Sequence, residues 1–156
     1  MLYTVEVPDD KVDQVAAALA DHGVELLPQT KPKGKAQHRW RKAISEMRFH
    51  VDYAGFTGTV IWEKATEMRL LAGATLMPDD DAPTRADGTL GFNWKVGNAL
   101  RQEHLDAIDK KRWVTTKDIV LRSVNEVGNF MYFAGTNSWL HMTNSKGETI
   151  DELTRV

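Results

Sequence analysis

The stretch Glu46 to Glu63, EMRFHVDYAGFTGTVIWE, constrains this chain more than any other. Met47, Phe49, Val51 and Tyr53 alternate with Glu46, Arg48, His50 and Asp52, the period of a strand with one buried and one wet face. A two-residue turn at Gly55 and Phe56, of the kind that wants Gly first, would pair Val51 with Val60, Phe49 with Trp62 and Arg48 with Glu63. Turn and alternation agree, so residues 44–64 are expected to form an antiparallel hairpin. Such a hairpin, with few other strands, disfavours a doubly wound parallel sheet.

Upstream, Leu2 to Val7 alternates like a strand, and Pro8-Asp9-Asp10 signals a helix carrying Val12, Val15, Ala16 and Leu19 on one stripe. Gly23 suits its C-terminal cap, and Val24 to Leu27 reads as a second strand. Ala65 to Met77 fits a helical stripe through Ala65, Met68, Leu71 and Ala72, although Leu70 to Met77 also reads as a buried strand; helix is preferred. Pro78 to Gly91, PDDDAPTRADGTLG, is a long loop of the functional or mobile kind. Asn93 is expected to cap a helix with Val96, Leu100, His104, Ala107, Ile108 and Lys111 on one side. Thr115 with Asp118 resembles a capping box opening a second helix through Val120, Val124, Val127 and Met131, stopped by Gly135. A short turn would make the two an antiparallel pair. Ser138 to Val156 is a final hairpin, or a strand and tail.

The architecture expected is therefore α+β: a small, mainly antiparallel sheet from an N-terminal β-α-β unit and hairpin 44–64, with a C-terminal helix pair. The 156 residues suffice for one domain, with a sub-division at loop 78–91 between a β-rich part (1–77) and a helical part (92–156).

The absence of Cys removes disulfides, thiolate nucleophiles and Cys-based zinc sites, and fits a cytoplasmic location. Acids at Glu6, Asp9 and Asp10 interrupt any signal-peptide core, and the longest uncharged run, Val127 to Ser145, is too polar to span a bilayer. No membrane association is expected.

The segment KPKGKAQHRWRK, residues 31 to 42, carries six Lys or Arg and no acid in a chain of formal charge −2. Cations interleaved with His38 and Trp40 suit phosphate tracking and base stacking, while a solvated or protein-contacting loop is the competing reading. Without this segment the rest holds 14 Lys or Arg against 22 acids, formally −8, which would repel nucleic acid unless its charges segregate. Lys110, Lys111, Arg112 and Trp113, with Lys117 and Arg122, would extend a basic patch, yet cations at a helix end are also what its dipole favours. Glu46, His50 and Asp52 share a strand face and invite an acid–base reading, but a charged row is also what a wet sheet face requires. Asp79, Asp80, Asp81 and Asp87 do not match a calcium-loop spacing, and the five His lack zinc spacings. No nucleophile elbow, P-loop or dinucleotide fingerprint occurs, and no cofactor or metal is expected. In FMYF, helical spacing aligns Phe133 with Arg122, Glu126 and Asn129, so it should be exposed unless something covers it, either the C-terminal segment folding back or a partner, with Trp139 following in sequence.

The function expected is that of a non-enzymatic protein-binding protein, an accessory, inhibitor or assembly protein of the size seen in phages and mobile elements, acting by occluding or bridging a protein partner. Its contact residues would be Lys33, Lys35, Arg39, Trp40, Arg41, Lys42, Phe133 and Trp139. Nucleic-acid binding through residues 31–42 is the alternative, and a small enzyme using Glu46, His50 and Asp52 the third. Nothing in the sequence speaks to oligomeric state.

Overall fold

The computed structural model describes residues 11–20, 37–134 and 136–156. The chain forms two compact units, Met1–Lys35 and Ala36–Val156. In the first, helix α1 spans Val12–Ala20, as its apolar stripe predicts; the strands expected at 2–7 and 24–27, and the cap at Gly23, lie outside the described residues.

The second unit is a mixed α+β structure built on a five-stranded antiparallel sheet, whose strands in spatial order are Ile119–Leu121 (β6), Glu67–Leu70 (β3), Phe56–Lys64 (β2), Phe49–Tyr53 (β1) and Met142–Thr143 (β7). Strands β1 (Phe49–Tyr53) and β2 (Phe56–Lys64) form the expected hairpin, but its register differs. The turn residues are Ala54 and Gly55, both left-handed (φ 51° and 88°), so Phe49 pairs with Val60, Val51 with Gly58, and Tyr53 with Phe56. Two consecutive positive φ values define the primed turn that matches strand twist, and its loop sits one residue earlier than Gly55–Phe56. The pairing moves by two residues, an even number, and each side chain therefore keeps its face. Phe49, Val51, Val60 and Trp62 are buried, whereas His50 and Asp52 are exposed. Arg48 does not meet Glu63; the Glu63 carboxylate accepts from Arg69 instead.

The helix expected over Ala65 to Met77 is corrected to a third strand, β3 (Glu67–Leu70), followed by a turn at Ala72–Gly73 and an isolated bridge from Thr75 to Val114. Met68 and Leu70 are buried while Glu67 and Arg69 are half-exposed, and this period of two suits the free edge that β2 presents. Ala74 and Leu76 continue into the core, held by Thr75 N–H to Thr57 O (2.8 Å) and Leu76 N–H to Trp113 O (2.7 Å).

Helix α2 (Phe92–Glu103) is capped by Gly91, two residues before the expected cap Asn93, which lies in the first turn instead, and it stops at His104. A short hairpin, β4 (Ile108–Asp109) and β5 (Val114–Thr115), then leads to β6 (Ile119–Leu121), where β-branched residues dominate. The second helix, α3 (Val124–Tyr132), starts eight residues later than the Thr115 signal implies. Thr115 and Asp118 instead staple the chain leaving β3: Thr115 Oγ1 accepts from Ala74 N–H (3.0 Å) and the Asp118 carboxylate from Ala72 N–H (2.9 Å). The true cap is Ser123, whose Oγ accepts from Glu126 N–H (3.2 Å) while Glu126 reaches back to Arg122 N–H (3.3 Å). The two helices do pack on each other, joined by strands rather than by a short turn.

The C-terminal segment is strand β7 (Met142–Thr143), a tight turn at Asn144 to Gly147 and helix α4 (Ile150–Thr154), capped by Thr149. The sheet thus draws strands from both sides of loop 78–91. One core joins its buried face to Ile44, Val124, Val127, Phe130, Met131 and Ile150, each apolar side chain contributing roughly 1.5–3 kcal/mol. Among the described residues, no helix is long and apolar enough to cross a membrane.

Candidate functional site

Lys33 and Lys35 lie outside the described residues. Of the rest of the basic segment, Arg39, Arg41 and Lys42 are exposed. The chain from Gln37 to Arg41 is tied to the C-terminus. Arg39 N–H donates to Thr154 O (2.8 Å), Val156 N–H to Gln37 O (2.9 Å) and the Arg41 guanidinium to Leu153 O (2.8 Å). The ring of His38, far from standing ready for a base, meets the Asp151 carboxylate at 2.6 Å and stacks on Trp139 with centroids 3.6 Å apart. Asp151 also takes Arg155 (2.8 Å), and its carboxyl is held below the ordinary carboxylate value, first by the hydrogen bond with His38.

The two tryptophans expected to be free surface are engaged within the molecule. Trp40 donates its indole N–H to Trp62 O (2.9 Å) and packs against the core. Trp139 donates to Asn125 Oδ1 (3.1 Å) and meets Trp62 edge-on.

The expectation that Phe133 is exposed is corrected: it is 3% exposed. Its helical position was extrapolated past Tyr132, but Phe133 is the left-handed cap of α3 (φ 55°), which swings its ring off the polar line and under Arg101. Arg101, on α2, is 2% exposed and sits 4.2 Å over that ring. Its Nε donates to Phe130 O (2.8 Å), one terminal nitrogen to Met77 O (2.7 Å) and the Asp79 carboxylate (2.8 Å), the other to Met131 O (3.1 Å). A helix leaves its last carbonyls unpaired, and here a cation from a neighbouring helix supplies the donors where the dipole is negative. Burial lowers the Arg101 pKa, opposed by its bonds to Asp79. The close crossing depends on Gly97, where a Cβ would collide with the Asn129 carbonyl and come within 2.6 Å of the Phe133 ring.

This clamp shapes the surface beside it. Pro83, Arg85, Phe92, Trp94 and Phe133 line a hollow of about 300 Å³ between loop 78–91 and the start of α2. The loop is held by a Thr84–Leu90 bridge and by Asp87, whose carboxylate accepts from Thr89 N–H (2.9 Å) and Oγ1 (2.6 Å) and lies below its ordinary pKa for that reason. Phe92 is 71% exposed and Leu90 37% exposed beside the hollow. Asp79 is committed to Arg101, while Asp80 and Asp81 are exposed. Among the described residues no group of His, Asp or Glu is arranged to hold a metal ion.

His50 and Asp52 stand on the wet face of β1. A second hollow, of about 400 Å³, is lined by Glu46, Met47, Arg48, Asn144, Lys146 and Glu148, so Glu46 shares it with Lys146 of the 144–148 turn and not with His50 or Asp52. The sequence reading missed Arg101, Phe92 and Trp94. The pair Gly97 and Arg101, four residues apart, and not Val96 and Leu100, marks the buried side of α2. The small residue at a helix crossing was the available signal.

Comparison of the chain with protein-family models, with curated proteins and with solved structures gives no match.

Proposed function

We propose that this chain is a non-enzymatic binding protein, an accessory or inhibitory module that occludes or bridges a protein partner, and that the contact is centred on the hollow between loop 78–91 and α2. The observation that carries this reading is Phe92, 71% exposed at the first turn of α2 and flanked by exposed Leu90 and half-buried Trp94. An aromatic ring left in water forgoes roughly 1.5–3 kcal/mol of burial, which a partner's side chain seated in the hollow would recover. Phe133, placed among the contact residues from sequence, would serve as part of the hollow's lining, and exposed Asp80 and Asp81 would favour a partner with a cationic rim.

The test is affinity capture from the source cell with nuclease present, comparing the wild-type chain with Phe92→Asp. A protein held by the wild type at high salt and weakened at least about 30-fold by the substitution, a central-anchor loss of about 2 kcal/mol, supports the reading. Equal retention by both, with the variant folded, refutes it.

A further inference from the structure

The hairpin β4–β5 carries at its tip Lys110, Lys111, Arg112 and Trp113. Asp109 forms no ion pair with these cations; its carboxylate turns back to accept the backbone N–H groups of Lys111 (2.9 Å) and Arg112 (3.3 Å). Trp113 is held left-handed (φ 52°), a conformation costing a bulky residue roughly 1–2 kcal/mol. Its ring packs against the core, near Arg101, and its carbonyl accepts from Leu76 N–H. The tip is thus anchored on the core while Lys110, Lys111 and Arg112 are all exposed. Among the described residues none of the three enters an ion pair, whereas nearby Lys117 is paired with Asp106.

From this we infer that the tip is a phosphate-contacting finger for the backbone of a nucleic-acid strand. Three consecutive cations held within about 7.6 Å face a strand that presents a phosphate every 3.4 Å or so along a helix axis, enough to meet two or three of them. An acidic protein surface fits less well. Protein interfaces deplete Lys and are built around an apolar or aromatic anchor, and the one ring at this tip is turned inward. With its one ring turned inward, the tip offers charge and no stacking surface, so the contact inferred is with the backbone and independent of sequence. None of the tip residues lines the hollow at α2, and the two surfaces together would let the chain bridge a protein and a nucleic acid.

The test uses the full chain and labelled 20-nucleotide single-stranded DNA, RNA and duplex DNA, read by fluorescence anisotropy from 50 to 200 mM salt. Polyglutamate is the competitor, and two triple variants, to Ala and to Glu at Lys110, Lys111 and Arg112, are compared with the wild type. The Ala variant should lower the slope of log affinity against log salt by about 2–3, and charge reversal should weaken binding at least about 10-fold at 50 mM salt with the thermal unfolding curve unchanged. Arg39→Glu with Lys42→Glu should leave the tip's share of the slope in place. Absent binding, wild-type slope in the Ala variant, or polyglutamate competing as well as nucleic acid would each overturn the inference.

Discussion

Replacing Arg101 with Met tests what holds the two helices together. Met preserves length and apolar contact but removes every donor. Among the described residues, buried Phe130 O and part-buried Met77 O then lose the only partner each has beyond regular structure, whereas Met131 O keeps the N–H of Met77 at 2.7 Å. Each orphaned buried carbonyl costs about 1–3 kcal/mol, so two cost about 2–6. The relief of a buried charge, already visible as a lowered Arg101 pKa, returns part of this. The Asp79 side chain, 36% exposed, rehydrates at little cost. A net loss of about 3 kcal/mol is expected, read by urea unfolding followed through Trp fluorescence, with a melting point lower by roughly 10 °C. Asp79→Asn, which breaks only the half-exposed ion pair, should cost about 1 kcal/mol or less. An Arg101→Met loss under about 0.5 kcal/mol, or an equal loss in Asp79→Asn, would show that stabilisation does not come from capping α3.

Two further outcomes follow from local geometry. Ala54→Asn should stabilise the chain by up to about 1 kcal/mol, because Ala54 sits at φ 51° in a turn whose first position favours Asn; a lower urea midpoint would contradict the turn assignment. Asp151, its carboxyl held below the ordinary 3.8, adds stability that is fully present above that value and is lost as pH falls through the depressed one. The stability difference between wild type and Asp151→Asn should therefore shrink as pH falls through the acid range, and a difference that stays level into acid would be inconsistent with the lowered Asp151 carboxyl.

Alternation along Phe49 to Tyr53 was enough to settle which side chains of β1 are buried, and that result survived a two-residue error in register because period-two patterning cannot distinguish even shifts. The helix starts near Val12 and Phe92 were legible from local signals, and so was the α+β class. Tertiary structure alone decided that Thr115 and Asp118 would staple residues 72–74 rather than open a helix, that Phe133 would turn inward, and that Arg101 would be buried while Phe92 stays in water. Local patterns report periodicity and capping chemistry. They do not report which carbonyls a helix end leaves unpaired or which distant donor supplies them, and Arg101 meets Phe130 and Met131 across 29 and 30 residues of chain. A cation on an amphipathic helix reads as solvent-facing until the fold brings those orphan acceptors to it.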